Sequence, residues 1–338
     1  MIVLAIETSC DDTSVAVIKN SNVKSNIISS QNFHSKYGGI VPELASRAHT
    51  QVISQITKSA LGDANTKIDD IDLIAVTSQP GLVGSLLVGA NFAKGLSVRY
   101  DLPVIPINHI EGHIFSGNLQ NNEIKFPFIS LVVSGGHTSI FLVKSYTKYD
   151  VIGSTVDDAA GEAFDKIAKL LGMQYPGGPI IDKLAKIGNK KAFDFPRSMI
   201  HSKDYNFSFS GLKTAVRYFL NKEFPDGVPE DKIADISASA QAAIVDVLVK
   251  KTLSAAIEFQ CKTIVIGGGV SANSGLRNDM GLECKKNNLN LICPEIEYCV
   301  DNAAMIGFIA EKKISEKQGK INNNLDFVVN PVKIRSKN

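Results

Sequence analysis

The sequence predicts an α/β protein built from two duplicated lobes, and three short stretches carry that prediction. The first is a hairpin: "IVLAIE" and "SVAVIK" flank "TSCDDT", a turn rich in Ser, Thr and Asp. The second, "FISLVVSGGHTSIFLVK" from residue 128, repeats strand, small-residue turn and strand around "SGGH". The third, "KTIVIGGGVSANSGL", is a strand running through three glycines into a helix. Two small polar turns, one per lobe, are expected to face a cleft where backbone N–H groups meet a phosphate-bearing ligand.

The remaining elements fit that plan, which is the plan of bilobal nucleotide-binding proteins of the actin, Hsp70 and sugar-kinase type. "IDLIAVTS" and "LPVIPIN" read as further strands of the first lobe. "PELASRAHTQVISQITKSAL" has a helical stripe at Leu44, Ala48, Val52 and Ile56. "LVGSLLVGANFAKGLSV" is apolar but interrupted by Asn91, Lys94 and glycines, so it reads as a buried helix and not a membrane span. "DDAAGEAFDKIAKLLG" is a helix with Asp157 or Asp158 as N-cap and Gly172 as its stop. "ADISASAQAAIVDVLVKKTLSAAIEF" is a long buried helix. These assignments place the first lobe at residues 1–108 and the second at 109–302, with a Pro-, Gly- and Phe-rich insertion at about 173–231. A C-terminal helix over about 303–330 is expected to return to the first lobe, and the Lys- and Asn-rich tail after Lys312 to fray.

Composition narrows the class. Of 338 residues, 44% are hydrophobic and 21% charged, as in ordinary soluble globular chains. The formal net charge of +2 neither demands nor excludes a nucleic-acid partner. Five scattered cysteines without a CxxC pair argue against a disulfide framework and against a thiolate zinc site. The N-terminus lacks the basic region of a signal or transit peptide, so a cytoplasmic protein without membrane association is expected.

The motif richest in chemistry is "NHIEGH". With Asn108 as N-cap, His109 and His113 stand one turn apart on one helical face and can share a metal. The metalloprotease signature needs Glu directly after the first His, whereas Glu111 lies one residue later, so a peptidase is not expected. A third ligand must come from elsewhere. Asp301 enters an apolar helix, where it is either a metal ligand or an ordinary N-cap. In "TSCDDT", Asp11 and Asp12 are turn formers by default, and Cys10 has no basic partner to activate it. Asp158, Glu162 and Asp165 form an acidic helical face, and Asn273 stands at a helix entry.

Taken together, "IETSCDDT", "YGGIVPELASRAH", "PGLVGSLLVG", "NHIEGH", "LVVSGGHT", "DDAAGEAFDK", "YPGGP", "FSFSGLKTA", "GGGVSAN" and "DNAAMI" resemble the TsaD (Gcp/YgjD) family in its bacterial-type branch, over essentially the whole chain. The resemblance implies the actin-like ATPase (ASKHA) fold, with two RNase H-like lobes. It implies transfer of threonylcarbamoyl from threonylcarbamoyl-adenylate to N6 of adenosine 37 in tRNAs reading ANN codons, with release of AMP. It implies one metal per subunit, iron (Fe2+) with zinc as the alternative, on His109, His113 and Asp301. Substrate contacts map onto Val132, Val133, Ser134, Gly135, Gly136, Asp165, Gly178, Asp182 and Asn273, and Asp11 matches an acid near the phosphates. Expected partners are tRNA, a paralogous TsaB subunit and the TsaE ATPase. One position departs: Gln79 precedes the Pro-Gly of "TSQPGL" where a glycine is expected. The alternative reading is an ATPase or small-molecule kinase of the same fold.

Overall fold

The computed structural model describes residues 1–120, 124–316 and 325–331. In chain order the elements are β1 (Ile2–Glu7), β2 (Asp12–Lys19), β3 (Asn22–Ser30), α1 (Pro42–Asp63), β4 (Leu73–Gln79), α2 (Val83–Tyr100), β5 (Val104–Asn108) and α3 (His109–Phe115). There follow β6 (Phe128–Val133), β7 (Thr138–Val143), β8 (Tyr149–Ser154), α4 (Ala160–Leu170), α5 (Gly177–Ala185), α6 (Ser210–Glu223), α7 (Glu230–Glu258), β9 (Thr263–Gly267), α8 (Ser274–Lys286), β10 (Asn290–Ile292) and α9 (Ala303–Glu316).

The two compact units repeat one topology. In the first, the sheet order is β3-β2-β1-β4-β5, with β1, β2 and β3 antiparallel and β1, β4 and β5 parallel. Read from its other edge, the second sheet runs β8-β7-β6-β9-β10, again an antiparallel meander followed by two parallel strands. Both predicted hairpins are present, and the duplication inferred from their turns extends to the whole sheet.

The first unit gathers the described residues of Met1–Glu123, Ser145–Lys148 and Pro294–Ile334. Its sheet is covered on both faces, which is why β1 and β4 are nearly continuous apolar runs. Leu4, Ile6, Val15, Val17 and Val76 pack with Ile53 and Ala60 of α1 and Ala93 of α2. The opposite face meets α9, where a Cβ on Gly307 would lie 2.6 Å from Ile18 Cγ1 and 3.0 Å from Ala5 Cβ, so only a glycine lets the helix approach. The unit extends past residue 108, because α3 packs on α9 and on the end of β5. The buried face of α1 is Ala45, His49, Ile53, Thr57 and Ala60, one residue on from the expected stripe. His49 and Thr57 are buried because they bond inward, His49 to Thr13 Oγ1 (2.7 Å) and to the Cys10 carbonyl (2.9 Å), and Thr57 to the Ile53 carbonyl (2.8 Å).

The C-terminal stretch departs from the expected frayed tail. Ile314 is buried within α9, and residues beyond it dock again. Lys94 Nζ donates to the Phe327 carbonyl at 2.8 Å and lies over its ring, while Asn330 N donates to the Ser78 carbonyl at 2.9 Å. Residues 317–324, within the helix expected over 303–330, and residues 332–338 lie outside the described residues.

The second unit, Ile124–Lys144 and Tyr149–Cys293, has its core between its sheet and α4, α6 and α7. The expected insertion is integral to that core: Phe195, Phe207, Phe209, Leu212 and Val216 are buried against Ala163, Phe164 and Ile244.

Candidate metal centre and ligand-binding turns

Parallel pairing of β1, β4 and β5 brings their C-terminal ends to one edge of the first sheet. Ile6 registers with Val76 and Thr77 with Ile107, so Glu7, Thr77 and the start of α3 become neighbours across more than a hundred residues of sequence. Asn108 ends β5 and caps α3, its Oδ1 accepting from Ile110 N at 2.8 Å. The cap fixes the phase of α3, and His109 and His113 both turn inward and are buried.

Asp301 meets them there. His109 Nε2 lies 3.3 Å and His113 Nε2 3.2 Å from Asp301 Oδ1, and the two rings meet edge-on with centroids 4.7 Å apart. The capping role left open for Asp301 falls to Asn302, whose Oδ1 accepts from Met305 N at 3.0 Å. Ser14 Oγ accepts from Ala303 N at 2.9 Å, so the start of α9 is pinned to β2 and Asp301 is presented to the histidines.

The donor set fits a single first-row divalent metal. Two imidazole nitrogens and one carboxylate oxygen lie within 4.8 Å of one another, and such N,N,O sets suit iron and zinc alike. His109 Nδ1 is engaged on its far side, 3.0 Å from Glu7 Oε2 and 3.2 Å from Ser9 Oγ, which leaves Nε2 to face Asp301. Nδ1 of His113 is buried without a hydrogen-bond partner among the described residues. Burial by itself would raise the Asp301 and Glu7 carboxyls, but His109 between them outweighs it. Asp301 is held well below the usual carboxylate range and Glu7 below it. Conversely, burial opposes a charge on His109, and Asp301 and Glu7 overcome it and hold the imidazole well above its usual value. For His113, burial prevails and the pKa falls.

Glu7 was not among the residues expected from sequence. Its carboxylate is fully buried and accepts from Ser9 N, Thr77 Oγ1 and His109 Nδ1. Nearby in the first turn, burial and then Asp301 raise the Asp11 carboxyl. Burial, with Asp301, Asp11 and Glu7 as lesser contributors, pushes Asp12 up to about 7. The Cys10 thiol is driven far up by burial and by Asp301 and Asp11, which makes it a poor nucleophile, as its sequence context suggested.

Glu111, the residue that spoils the protease spacing, is buried and bonded through both oxygens to Lys313 Nζ, at 2.9 and 2.7 Å. It fastens α3 to α9. Gly112 sits at the same crossing, where a Cβ would lie 2.7 Å from Met305 Cγ.

The expected substrate residues all lie in the second unit. Val132 and Val133 end β6, buried, and Ser134 opens the turn, with Ser134 N donating to the His137 carbonyl at 2.8 Å and Ser134 Oγ accepting from His137 N. A Cβ on Gly135 or Gly136 would meet open space, so packing does not require glycine there. The turn abuts α4, since Gly161 N donates to the Ser134 carbonyl at 3.2 Å. The acid face of α4 divides: Lys166 pairs with Asp158 and Glu162, while Asp165 turns inward to accept from Gly177 N at 2.7 Å, beside Gly178. Neither Asp157 nor Asp158 caps α4, whose N-cap position is Ala159. Asp157 instead holds the start of α6, accepting from Phe209 N and from the Ser208 and Ser210 hydroxyls. At the far end of α5, Asp182 accepts from Ser274 N (3.0 Å) and Ser274 Oγ (2.8 Å). Asn273 caps α8 by accepting from Leu276 N and donates to Gln241 Oε1 at 2.7 Å. Helix α5 thus links Asp165 to Asn273. A cavity of about 320 Å³ lies beside that link, lined by Lys186, Lys190, Gln241, Ser274, Gly275 and Asn278 among others. A volume of that order accepts a nucleoside-sized ligand.

A profile of the family described as "TsaD: tRNA N6-adenosine threonylcarbamoyltransferase" matches residues 22–308. A tRNA N6-adenosine threonylcarbamoyltransferase of Thermosipho africanus (strain TCF52B) is 52% identical over 331 residues, covering 98% of this chain and 99% of that protein. One from Clostridium botulinum (strain Hall / ATCC 3502 / NCTC 13319 / Type A) is 51% identical over 310 residues, 91% of each chain. Among solved structures, component A of the Acidaminococcus fermentans (R)-2-hydroxyglutaryl-CoA dehydratase aligns with a TM-score of 0.56 at 15% identity, over 93% of this chain and 99% of that one. Full-length HypF in its phosphate- and nucleotide-bound form aligns at 0.61 and 14% identity, over 94% of this chain and 47% of HypF. At such identities these structures speak to fold alone, and the fold is the actin-like ATPase fold with two RNase H-like lobes. On the match over most of its length and on identities near one half, the chain belongs to the TsaD family of tRNA N6-adenosine threonylcarbamoyltransferases, transferases that modify tRNA.

Proposed function

We propose that this chain transfers threonylcarbamoyl from threonylcarbamoyl-adenylate to N6 of adenosine 37 in tRNAs reading ANN codons. The observation that carries this reading is the convergence of His109, His113 and Asp301 on one point within a chain of this family. Kinases and ATPases of the same fold have no need of such a set. The exocyclic amine attacks the carbamoyl carbon, the bond from that carbon to the phosphate oxygen breaks, AMP leaves, and the amine gives up a proton. Such a reaction asks for positioning and charge stabilisation more than for covalent help.

His109, His113 and Asp301 would hold one divalent metal, iron first and zinc as the alternative. When bound, the metal supplies Lewis-acid polarisation of donor oxygens. Asp11 orients the amine or accepts its proton, a role its half-buried and raised carboxyl favours. Val132, Val133, Ser134 and Gly178 line the site, and Gly135 and Gly136 of the turn would offer backbone N–H groups to the adenylate phosphate. Asp165, Asp182 and Asn273 shape the pocket for its nucleoside, which their mutual links through α5 and α8 support. The proposed setting is the cytoplasm, where a paralogous TsaB subunit and a TsaE-type ATPase join the protein on tRNA. Among the described residues no helix is long and apolar enough to cross a membrane.

The test is incubation with threonylcarbamoyl-adenylate, unmodified ANN-reading tRNA and the partner proteins, followed by nucleoside analysis. Threonylcarbamoyladenosine should form, and should be lost in Asp11→Ala. Its absence from the wild-type reaction overturns the reading, and phosphorylation of a small molecule by ATP instead selects the kinase alternative.

A further inference from the structure

We propose that Glu7 is a positioning residue for His109, its buried carboxylate fixing the ring so that Nε2 presents a lone pair toward Asp301 and His113. The inference rests on reading those three residues as a metal centre. An ionised carboxylate only accepts hydrogen bonds. Glu7 takes three: Ser9 N on Oε1, and Thr77 Oγ1 and His109 Nδ1 on Oε2. The proton of a neutral His109 therefore sits on Nδ1, which leaves Nε2, 3.3 Å from Asp301 Oδ1, with the lone pair that a metal would take. Carboxylate partners of this kind orient metal-bound imidazoles and raise their basicity. Nothing comparable holds His113, whose Nδ1 has no hydrogen-bond partner among the described residues, so the fixed geometry of the pair is concentrated at His109.

Glu7→Gln makes the inference testable at constant shape. An amide has one acceptor oxygen, and Ser9 N, a backbone donor, can only be met by it. The amide NH2 must then face Thr77 and His109. Thr77 can rotate to accept, but His109 can accept only by carrying its proton on Nε2, the nitrogen meant for the metal. Zn2+ affinity, measured by competition with a chromophoric chelator, should fall about 10–100-fold in Glu7→Gln. Nitrogen NMR of 15N-histidine-labelled, Zn2+-loaded wild-type protein should show Nδ1–H with metal on Nε2 at His109.

Thr77→Val is the control. It removes one bond to Glu7 without touching His109, so it should lower thermal stability and leave Zn2+ affinity unchanged. Glu7→Gln with wild-type affinity, or Thr77→Val with an equal loss, overturns the proposal. His113→Ala separates the two levels: if it binds Zn2+ as wild type does, the metal-centre reading itself fails. If His113→Ala loses Zn2+ and Glu7→Gln keeps it, only the role of Glu7 fails.

Discussion

Removing the Lys313 ammonium should loosen the joint between the two helices that flank the candidate metal centre. Lys313 Nζ lies 2.9 and 2.7 Å from the two Glu111 oxygens, and the side chains are 19% and 8% exposed. Breaking a buried pair by deleting one partner costs roughly 3–5 kcal/mol, because the remaining charge keeps its desolvation penalty. The partial exposure of Lys313 lets water reach the carboxylate and places Lys313→Ala near the lower end, roughly 3 kcal/mol. Replacing both partners by neutral groups of similar shape, Glu111→Gln with Lys313→Met, should restore most of it. With two compact units, a single global unfolding free energy is ill-defined, so native-state hydrogen exchange is the suitable assay. Amides of α3 and α9 should lose protection by about 100-fold in Lys313→Ala, the factor that roughly 3 kcal/mol implies. Protection of the second unit should not change. The reasoning is refuted if α3 and α9 exchange as in wild type, or if the double variant is as weak as the single one.

Three further perturbations follow from the same contacts. Gly112→Ala puts a methyl 2.7 Å from Met305 Cγ; overpacking of about 1–3 kcal/mol against a helix gain of about 1 should lower the melting temperature slightly and weaken Zn2+ retention in a chelator titration. Asn302→Ala removes the cap that accepts from Met305 N and should cost about 1 kcal/mol, read as earlier exchange at the first turn of α9. Asp157 is partly buried, which would raise its carboxyl, but hydrogen bonds from Ser208, Ser210 and Phe209 prevail and hold it below its ordinary 3.8. A depressed carboxyl contributes stability that is present above 3.8 and lost as pH falls through the folded value. Acid titration of the melting temperature should therefore be shallower in Asp157→Asn, and an unchanged acid limb would contradict the assignment.

What the sequence disclosed, and what it withheld, follows from how local each signal is. Hairpins declare themselves within about twenty residues by alternation and turn chemistry, so both lobes were readable from "TSCDDT" and "SGGH". His109 and His113 were readable because a helix places i and i+4 together. Glu7 was not, since its bond to His109 spans 102 positions and exists only because β1, β4 and β5 pair in parallel. The face of α1 was misplaced by one residue because two of its buried positions, His49 and Thr57, are polar and satisfied internally. Asp157 looked like a cap for the helix beside it, yet its partners lie 51 and 53 residues further on. The lobe boundary drawn at residue 108 missed that α3 belongs with α9, a contact fixed by Glu111 with Lys313 and by the close approach at Gly112.

The central claim is that His109, His113 and Asp301 hold one metal ion. Elemental analysis of the wild-type protein and of Asp301→Ala, purified side by side without added chelator, tests it most directly. One iron or zinc per wild-type chain, lost in Asp301→Ala while the fold persists by circular dichroism, is the result the geometry predicts. Equal metal content in the two proteins, or none in the wild type after reconstitution with either ion, would contradict it.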